Sequence, residues 1–324
     1  TRRAAFGNTV SIQPNPASES VAAQYGGQFS PIGDINGDGQ IDGRFGEQHI
    51  VFGGQGTAPS DNQSFDGQNG FLLNPDLPPH LAMGLGDINH DGFDDFSYGS
   101  WVIFGSSDIG QSGIVTLEEL SERGFQLGGV RYVHPTGDLN GDGVDDIAAS
   151  KGPFADVDQT FLIWGTTDTT ALKTTTVESL QTDHGRQRGL VLEGSSYSAT
   201  GLGDLNGDGF NDAAFQKWTA QENRAVSAYV VFGQSTPADL PTAFHHLDGE
   251  NGFAIGALTS AGIDTHGTTP IQAAGDLNGD GVPDLLIGYR GEQDCVLCTA
   301  TDKESISINV GAAVIFGGDS VGNS

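Results

Sequence analysis

Apolar residues in this chain come in short runs, rich in β-branched and aromatic types, each bounded by glycine and separated by polar, turn-forming stretches. One series ends on an aromatic–glycine step: HIVFGG (49–54), WVIFGS (101–106), FLIWGT (161–166), YVVFGQ (229–234) and AVIFGG (313–318). A second opens on glycine followed by a large apolar residue: Gly70-Phe71, Gly124-Phe125, Gly189-Leu190 and Gly252-Phe253. Runs this short, closed by glycine, predict β-strands. The hexapeptides DGQNGF (66–71) and DGENGF (248–253) differ at one position, so the pattern is a true internal repeat.

Between the apolar runs a nine-residue polar pattern, D-x-N-x-D-G-x-x-D, returns five times, at 34–42, 87–95, 138–146, 204–212 and 276–284. Carboxylate and amide oxygens at alternate positions around a tight glycine turn are the donor set of a hard cation, and each copy predicts a calcium site. A strand ends just before the first aspartate, as in Ile271–Ala274, and another follows the ninth position, as in Ile147–Ala149. One unit therefore reads strand, loop, strand, calcium loop, strand, loop, strand. The units fall at about 7–56, 66–107, 121–167, 187–235 and 250–319 of one domain spanning 1–324. Tandem four-stranded units of this size, none able to bury both faces alone, predict an all-β fold, a β-propeller with five blades.

An EF-hand is excluded. It requires a bidentate acid at loop position 12, and that position here is Phe45, Tyr98, Ala149, Phe215 or Ile287.

The three markers together resemble the FG-GAP repeats of the integrin α-subunit N-terminal β-propeller and of bacterial integrin-like calcium-binding propellers. The resemblance implies that the calcium loop joins the first and second strands of a blade. It implies ligation by the side chains at positions 1, 3, 5 and 9 and by the carbonyl at position 7. In this chain those are Asp34, Asn36, Asp38 and Asp42 with Gln40; Asp87, Asn89, Asp91 and Asp95 with Phe93; and Asp138, Asn140, Asp142 and Asp146 with Val144. The fourth and fifth sets are Asp204, Asn206, Asp208 and Asp212 with Phe210, and Asp276, Asn278, Asp280 and Asp284 with Val282. Integrin propellers resemble seven-bladed rings with calcium in some blades, whereas every unit here has a complete motif. The alternative to five blades is part of a seven-bladed propeller. The stretch Asn8–Ile12 matches the strand after each aromatic–glycine step and is expected to complete the last blade, sealing the ring.

Charge refines this picture. The chain carries 42 acidic and 13 basic residues, a formal net charge of −29. Fifteen of the acids lie at positions 1, 5 and 9 of the motifs, where cations would offset them. Such a surface repels nucleic acid and anionic membranes, and no segment reaches transmembrane length. Cys295 and Cys298, the only cysteines, lack a partner motif for zinc and are expected to form a local disulfide in an oxidising compartment. The chain starts at Thr1 with no secretory leader in view, and the expected location is extracellular or cell-surface.

Calcium is expected to be structural. No Ser/His/Asp order, nucleophile elbow or phosphate loop is present, so no catalytic residue is assigned, and a polysaccharide lyase or hydrolase ranks third among the functions. His80, His134 and His266 precede calcium motifs at unequal offsets and predict no common site, and His245-His246 read as opposite sides of a strand. Trp101 and Trp164 are expected in the core. Trp218, with Lys217, Glu222 and Arg224 nearby, is the exposed candidate for contact with a sugar or peptide, and the polar stretch 290–307 is a candidate recognition loop. The leading expectation is an adhesion, protein-interaction or extracellular assembly module whose partner is a protein, a glycan or a further copy. A calcium-dependent lectin is the runner-up.

Overall fold

The computed structural model describes residues 29–54, 65–73, 80–151, 159–182, 187–194, 196, 198–216, 226–256, 271–292 and 308–318. They form five sheets, antiparallel apart from one parallel pair in the first. The first contains β1 (Phe29–Gly33), β2 (Asp42–Phe45), β3 (His49–Val51) and β4 (Gly70–Leu73). The second contains β5 (Ala82–Gly86), β6 (Asp95–Tyr98), β7 (Trp101–Ile103) and β9 (Gly124–Gln126). Between β7 and β9 the chain adds β8 (Ile114–Val115), which pairs parallel to β4, and helix α1 (Leu117–Arg123). The third sheet is β10 (Tyr132–Gly137), β11 (Asp146–Ser150), β12 (Gln159–Ile163) and β13 (Gly189–Glu193). The fourth is β14 (Ser198–Gly203), β15 (Asp212–Gln216), β16 (Val226–Val231) and β17 (Gly252–Gly256). The fifth has three strands among the described residues: β18 (Ile271–Gly275), β19 (Asp284–Glu292) and β20 (Ile308–Ile315).

The sheet is offset by one strand from the unit read in the sequence. Each glycine-opened strand pairs with the aromatic–glycine strand before it: Gly70 lies opposite Val51, Gly124 opposite Ile103, Gly189 opposite Ile163 and Gly252 opposite Val231. The strand placed at the head of one unit thus closes the sheet of the preceding one. The glycine itself is a steric requirement. A Cβ at Gly189, whose φ is +150°, would strike the Leu162 carbonyl, and Gly70, Gly124 and Gly252 face the carbonyls of Ile50, Val102 and Val230 in the same way. Gly189→Ala is expected to cost about 2–4 kcal/mol of stability, through strained backbone and a displaced strand. Urea denaturation checks this, and a loss below about 0.5 kcal/mol would contradict the steric account.

Sheets stack on one another through apolar faces, giving four interfaces among the five sheets, in the manner of successive propeller blades. In the first, Ile35, Ile50 and Phe52 meet Phe96, Tyr98 and Ile103. The same positions recur in the second, where Ile88, Val102 and Phe104 meet Ile147, Ala149 and Ile163. The position-12 residues Tyr98, Ala149, Phe215 and Ile287 are all buried, which is why an acid is absent there. Trp164 is buried and Trp101 packs half-buried against the first interface. The innermost strands β1, β5, β10, β14 and β18 touch in succession.

One local reading is corrected, and one connection adds helices. Between β12 and β13 lie two short helices, α2 (Thr169–Thr174) and α3 (Val177–Thr182). Asp168 caps α2 by accepting the N–H groups of Thr170 and Ala171, and Leu172, Val177 and Leu180 turn into the second interface. His245 and His246 sit in a 3-10 turn, Phe244–His246, not a strand, with ring centroids 4.2 Å apart, because Phe244 anchors the turn in the core. Asn8–Ile12, His266, Lys217, Trp218, Glu222, Arg224, Cys295 and Cys298 lie outside the described residues.

Candidate metal centre

All five acidic motifs occupy one place in the fold, the connection between the first and second strands of a sheet. The strand pair reaches each loop through a bulge at the glycine before the first aspartate. Gly33, Gly86, Gly137, Gly203 and Gly275 hold φ between +66° and +96° there, a region that suits glycine. Position 4 is likewise left-handed. It is glycine in four loops and His90, at φ 58°, in the second.

Inside the loop the acidic and amide side chains fold onto the backbone in one scheme. The position-1 carboxylate accepts the N–H groups of positions 5 and 6, at 2.9 and 2.9 Å for Asp204 with Asp208 and Gly209. The position-3 amide oxygen also accepts the position-5 N–H, 3.0 Å from Asp208 to Asn206. Position 5 accepts the N–H of position 7, 2.9 Å from Phe210 to Asp208. The same bonds form in the loops of Asp34, Asp87, Asp138 and Asp276.

Position 9 is different. Asp42, Asp95, Asp146, Asp212 and Asp284 are fully buried, and each carboxylate bridges two remote backbone donors. For Asp146 these are the Leu139 N–H at 2.9 Å and the Gly165 N–H at 2.9 Å. Gly165 is the glycine of the aromatic–glycine step, and Gly53, Gly105, Gly233 and Gly317 make the equivalent bond. One side chain therefore ties the loop to the third strand of its own sheet, joining the two sequence markers in a single contact.

Burial, followed in effect by the carboxylates at positions 1 and 5, raises Asp42 to about 7, against backbone N–H bonds that lower it. Burial likewise raises Asp95 to about 8, Asp212 to about 7 and Asp146 well above the ordinary range. The loop thus holds a desolvated acid beside two further acids, an arrangement a cation would relieve.

Among the described residues, no three His, Cys, Asp or Glu side chains converge into a metal-holding cluster by themselves. The loop carboxylates are instead turned onto their own N–H groups. The Oδ1 atoms of Asp138, Asp204 and Asp276 each accept two N–H groups, from positions 4 and 5, whereas the position-1 Oδ2 and position-5 Oδ1 atoms accept one N–H each and retain a lone pair; the set is completed by an amide oxygen and a carbonyl. Hard oxygens alone, with the mutual repulsion of three acids, fit calcium. The residues that would hold it are the side chains at positions 1, 3, 5 and 9 and the carbonyl at position 7 of each loop. Bound there, the ion would supply charge neutralisation and a cross-link.

The opposite end of the sheets carries a different surface. A cavity of about 290 Å³ opens where the innermost strands begin, lined by Glu47, His80, Met83, Arg131, Tyr132 and His134 among others. His80 stacks edge-on against Tyr98, with centroids 5.6 Å apart, and Arg131 lies over the Tyr132 ring at 5.4 Å. Burial, then the charge of Arg131, lowers the His80 pKa. Unequal sequence offsets concealed that His80 and His134 share a site: His80 precedes the start of β5, whereas His134 lies within β10. Arg131 and Glu47 carried no motif. Their only signal is polar residues at strand ends.

Residues 273–307 match the family model of the FG-GAP repeat. None of the curated proteins matches the chain. The FG-GAP match covers the fifth loop and its following strand, and the other four loops reproduce the hydrogen bonds of that loop. FG-GAP repeats are typical of extracellular and cell-surface proteins. Among the described residues no helix is long and apolar enough to cross a membrane.

Proposed function

We propose that this protein is an extracellular, calcium-braced interaction module built on FG-GAP repeats, which presents one end of its sheet array to a partner. Calcium fills the five loops at one end and rigidifies the array. Recognition takes place at the other end. The observation that carries this division is the cavity lined by Glu47, His80, Arg131, Tyr132 and His134, on the side away from every acidic loop. A concave site with a few convergent polar groups and aromatic walls is the usual form of a ligand site. The connections after β15 and β19, which contain Trp218 and residues 293–307, leave from the same end as the cavity. Loops on a rigid scaffold commonly carry recognition.

Two readings divide on the ligand. Arg131 beside His80 suits an acidic side chain of a protein partner. Tyr132 with Glu47 suits the face and hydroxyls of a sugar, and this supports the lectin alternative. No residue is assigned to catalysis, and turnover of a polysaccharide is the third reading. The test is binding to a combined matrix-protein and glycan array in millimolar calcium and in chelator, with Arg131→Ala alongside. Calcium-dependent binding weakened at least tenfold by Arg131→Ala is expected. Binding unaffected by that substitution would place recognition elsewhere.

A further inference from the structure

Position 3 of the acidic loops is asparagine in all five, and in four of them glycine follows: Asn36-Gly37, Asn140-Gly141, Asn206-Gly207 and Asn278-Gly279. An asparagine loses ammonia when the next residue's backbone nitrogen attacks its side-chain amide carbon, and a following glycine has no β-carbon to obstruct that approach. The loop places three groups around this reaction. In the fourth loop the nucleophile, the Gly207 N–H, donates to Asp204 Oδ1 at 2.7 Å. The amide oxygen to be polarised, Asn206 Oδ1, accepts the Asp208 N–H at 3.0 Å. The departing amide nitrogen, Asn206 Nδ2, donates to Asp208 Oδ2 at 2.8 Å. The fifth loop repeats all three, from Gly279 to Asp276 at 2.6 Å, from Asp280 to Asn278 at 2.9 Å and from Asn278 to Asp280 at 2.8 Å. The third loop has the first two, from Gly141 to Asp138 at 2.7 Å and from Asp142 to Asn140 at 2.9 Å.

We propose that the third, fourth and fifth loops, when they hold no cation, deamidate themselves at Asn140, Asn206 and Asn278. The position-1 carboxylate takes the proton of the position-4 N–H as that nitrogen bonds to the asparagine Cγ. The position-5 N–H stabilises the negative oxygen that forms there. The Cγ–Nδ2 bond then breaks, and ammonia leaves with the proton the carboxylate took up, so that a cyclic imide remains. Water opens the imide at either carbonyl, giving aspartate or isoaspartate, and it has access because positions 4 to 6 of these loops are exposed. Isoaspartate carries the backbone through the side-chain methylene, which displaces the position-5 and position-6 N–H groups from the position-1 carboxylate. The other asparagines set the contrast. In the second loop His90 holds position 4, and its β-carbon stands in the path to Asn89. Among the described residues, Gly37 makes no bond to Asp34, which accepts the Asp38 and Gly39 N–H groups. Asn69 and Asn251 precede the glycines that open β4 and β17, and their side-chain oxygens accept the N–H groups of Asp66 and Asp248. Suppression of the reaction by calcium rests on the function proposed above, since an ion ligated at positions 1, 3 and 5 would withhold the base.

The test is peptide mapping by mass spectrometry of the native chain held at neutral pH in chelator, verified as folded by circular dichroism, beside the same chain in urea. Deamidation at Asn140, Asn206 and Asn278 is expected to run at least about tenfold faster folded than in urea, a modest share of what a positioned base supplies. Asn89, Asn69 and Asn251 are expected to run no faster folded, and Asn36 more slowly than the three. Asp204→Asn keeps an acceptor for the Gly207 N–H but removes the base. It is expected to slow Asn206 at least about tenfold, with Asn140 and Asn278 unchanged in their own loops. If that variant fails to fold in chelator, the comparison of the folded native chain with urea still decides. Rates at the three asparagines no faster folded than in urea would overturn the proposal, as would an unchanged Asn206 rate in folded Asp204→Asn. Millimolar calcium is expected to suppress all three reactions. Equal rates in calcium would count against calcium in those loops, while the acceleration over urea still stood.

Discussion

Asp146→Ala is expected to lower the unfolding free energy in calcium by about 2–6 kcal/mol. The side chain is fully buried and both its oxygens accept backbone donors, from Leu139 and Gly165. Truncation leaves two buried N–H groups without acceptors, at about 1–3 kcal/mol each. It also removes a predicted calcium ligand. In chelator the cost falls, because the substitution takes away a desolvated acid that Asp138 and Asp142 repel. Asp208→Ala gives the contrast. Asp208 is exposed, and its carboxylate accepts the Phe210 N–H and the Asn206 amide. In chelator this substitution is expected to change stability by less than about 1 kcal/mol, since exposed hydrogen bonds contribute little. In calcium it loses the stabilisation of one site. Denaturant titrations of both variants with and without calcium check the pair. Equal behaviour would mean that position 9 has no structural role beyond ligation.

Calcium itself has the larger total effect. Each filled site stabilises the folded state by about 2.7 kcal/mol when the free ion is 100-fold above its dissociation constant. Five sites acting on one array give on the order of 10 kcal/mol, and at roughly 2–4 °C per kcal/mol the melting temperature should fall by more than about 20 °C in chelator. The loss should be larger at low salt, where the surplus of acids is least screened. Differential scanning calorimetry before and after exchange into chelator measures it. A shift under about 3 °C would mean that the loops are held by their own hydrogen bonds and bind weakly or not at all.

The loops and the sheets were legible in the sequence because their signals are local. Nine consecutive residues fix each acidic turn, and the glycines at positions 4 and 6 mark where its backbone must turn left-handed. The apolar runs fall on the strands for the same reason. What escaped was non-local. Position 9 reads as a ligand, but its second task depends on a glycine that lies 11 residues away for Asp42 and 33 for Asp284. Connections of variable length between the second and third strands hide that constant partner. The one-strand offset escaped for a related reason: Gly70 follows Val51 across a long connection and precedes the next motif closely, so proximity in sequence assigned it to the wrong sheet. His80 and His134 line one cavity because adjacent sheets bring their innermost strands together.

The most direct test of the account is the number of calcium ions bound per chain, measured by equilibrium dialysis and elemental analysis in millimolar calcium. The account predicts five, falling to four in Asp208→Ala, since each loop has the same donor set and hydrogen-bond scheme. A native stoichiometry of zero or one would contradict it, leaving the five motifs as turns stabilised by their own backbone.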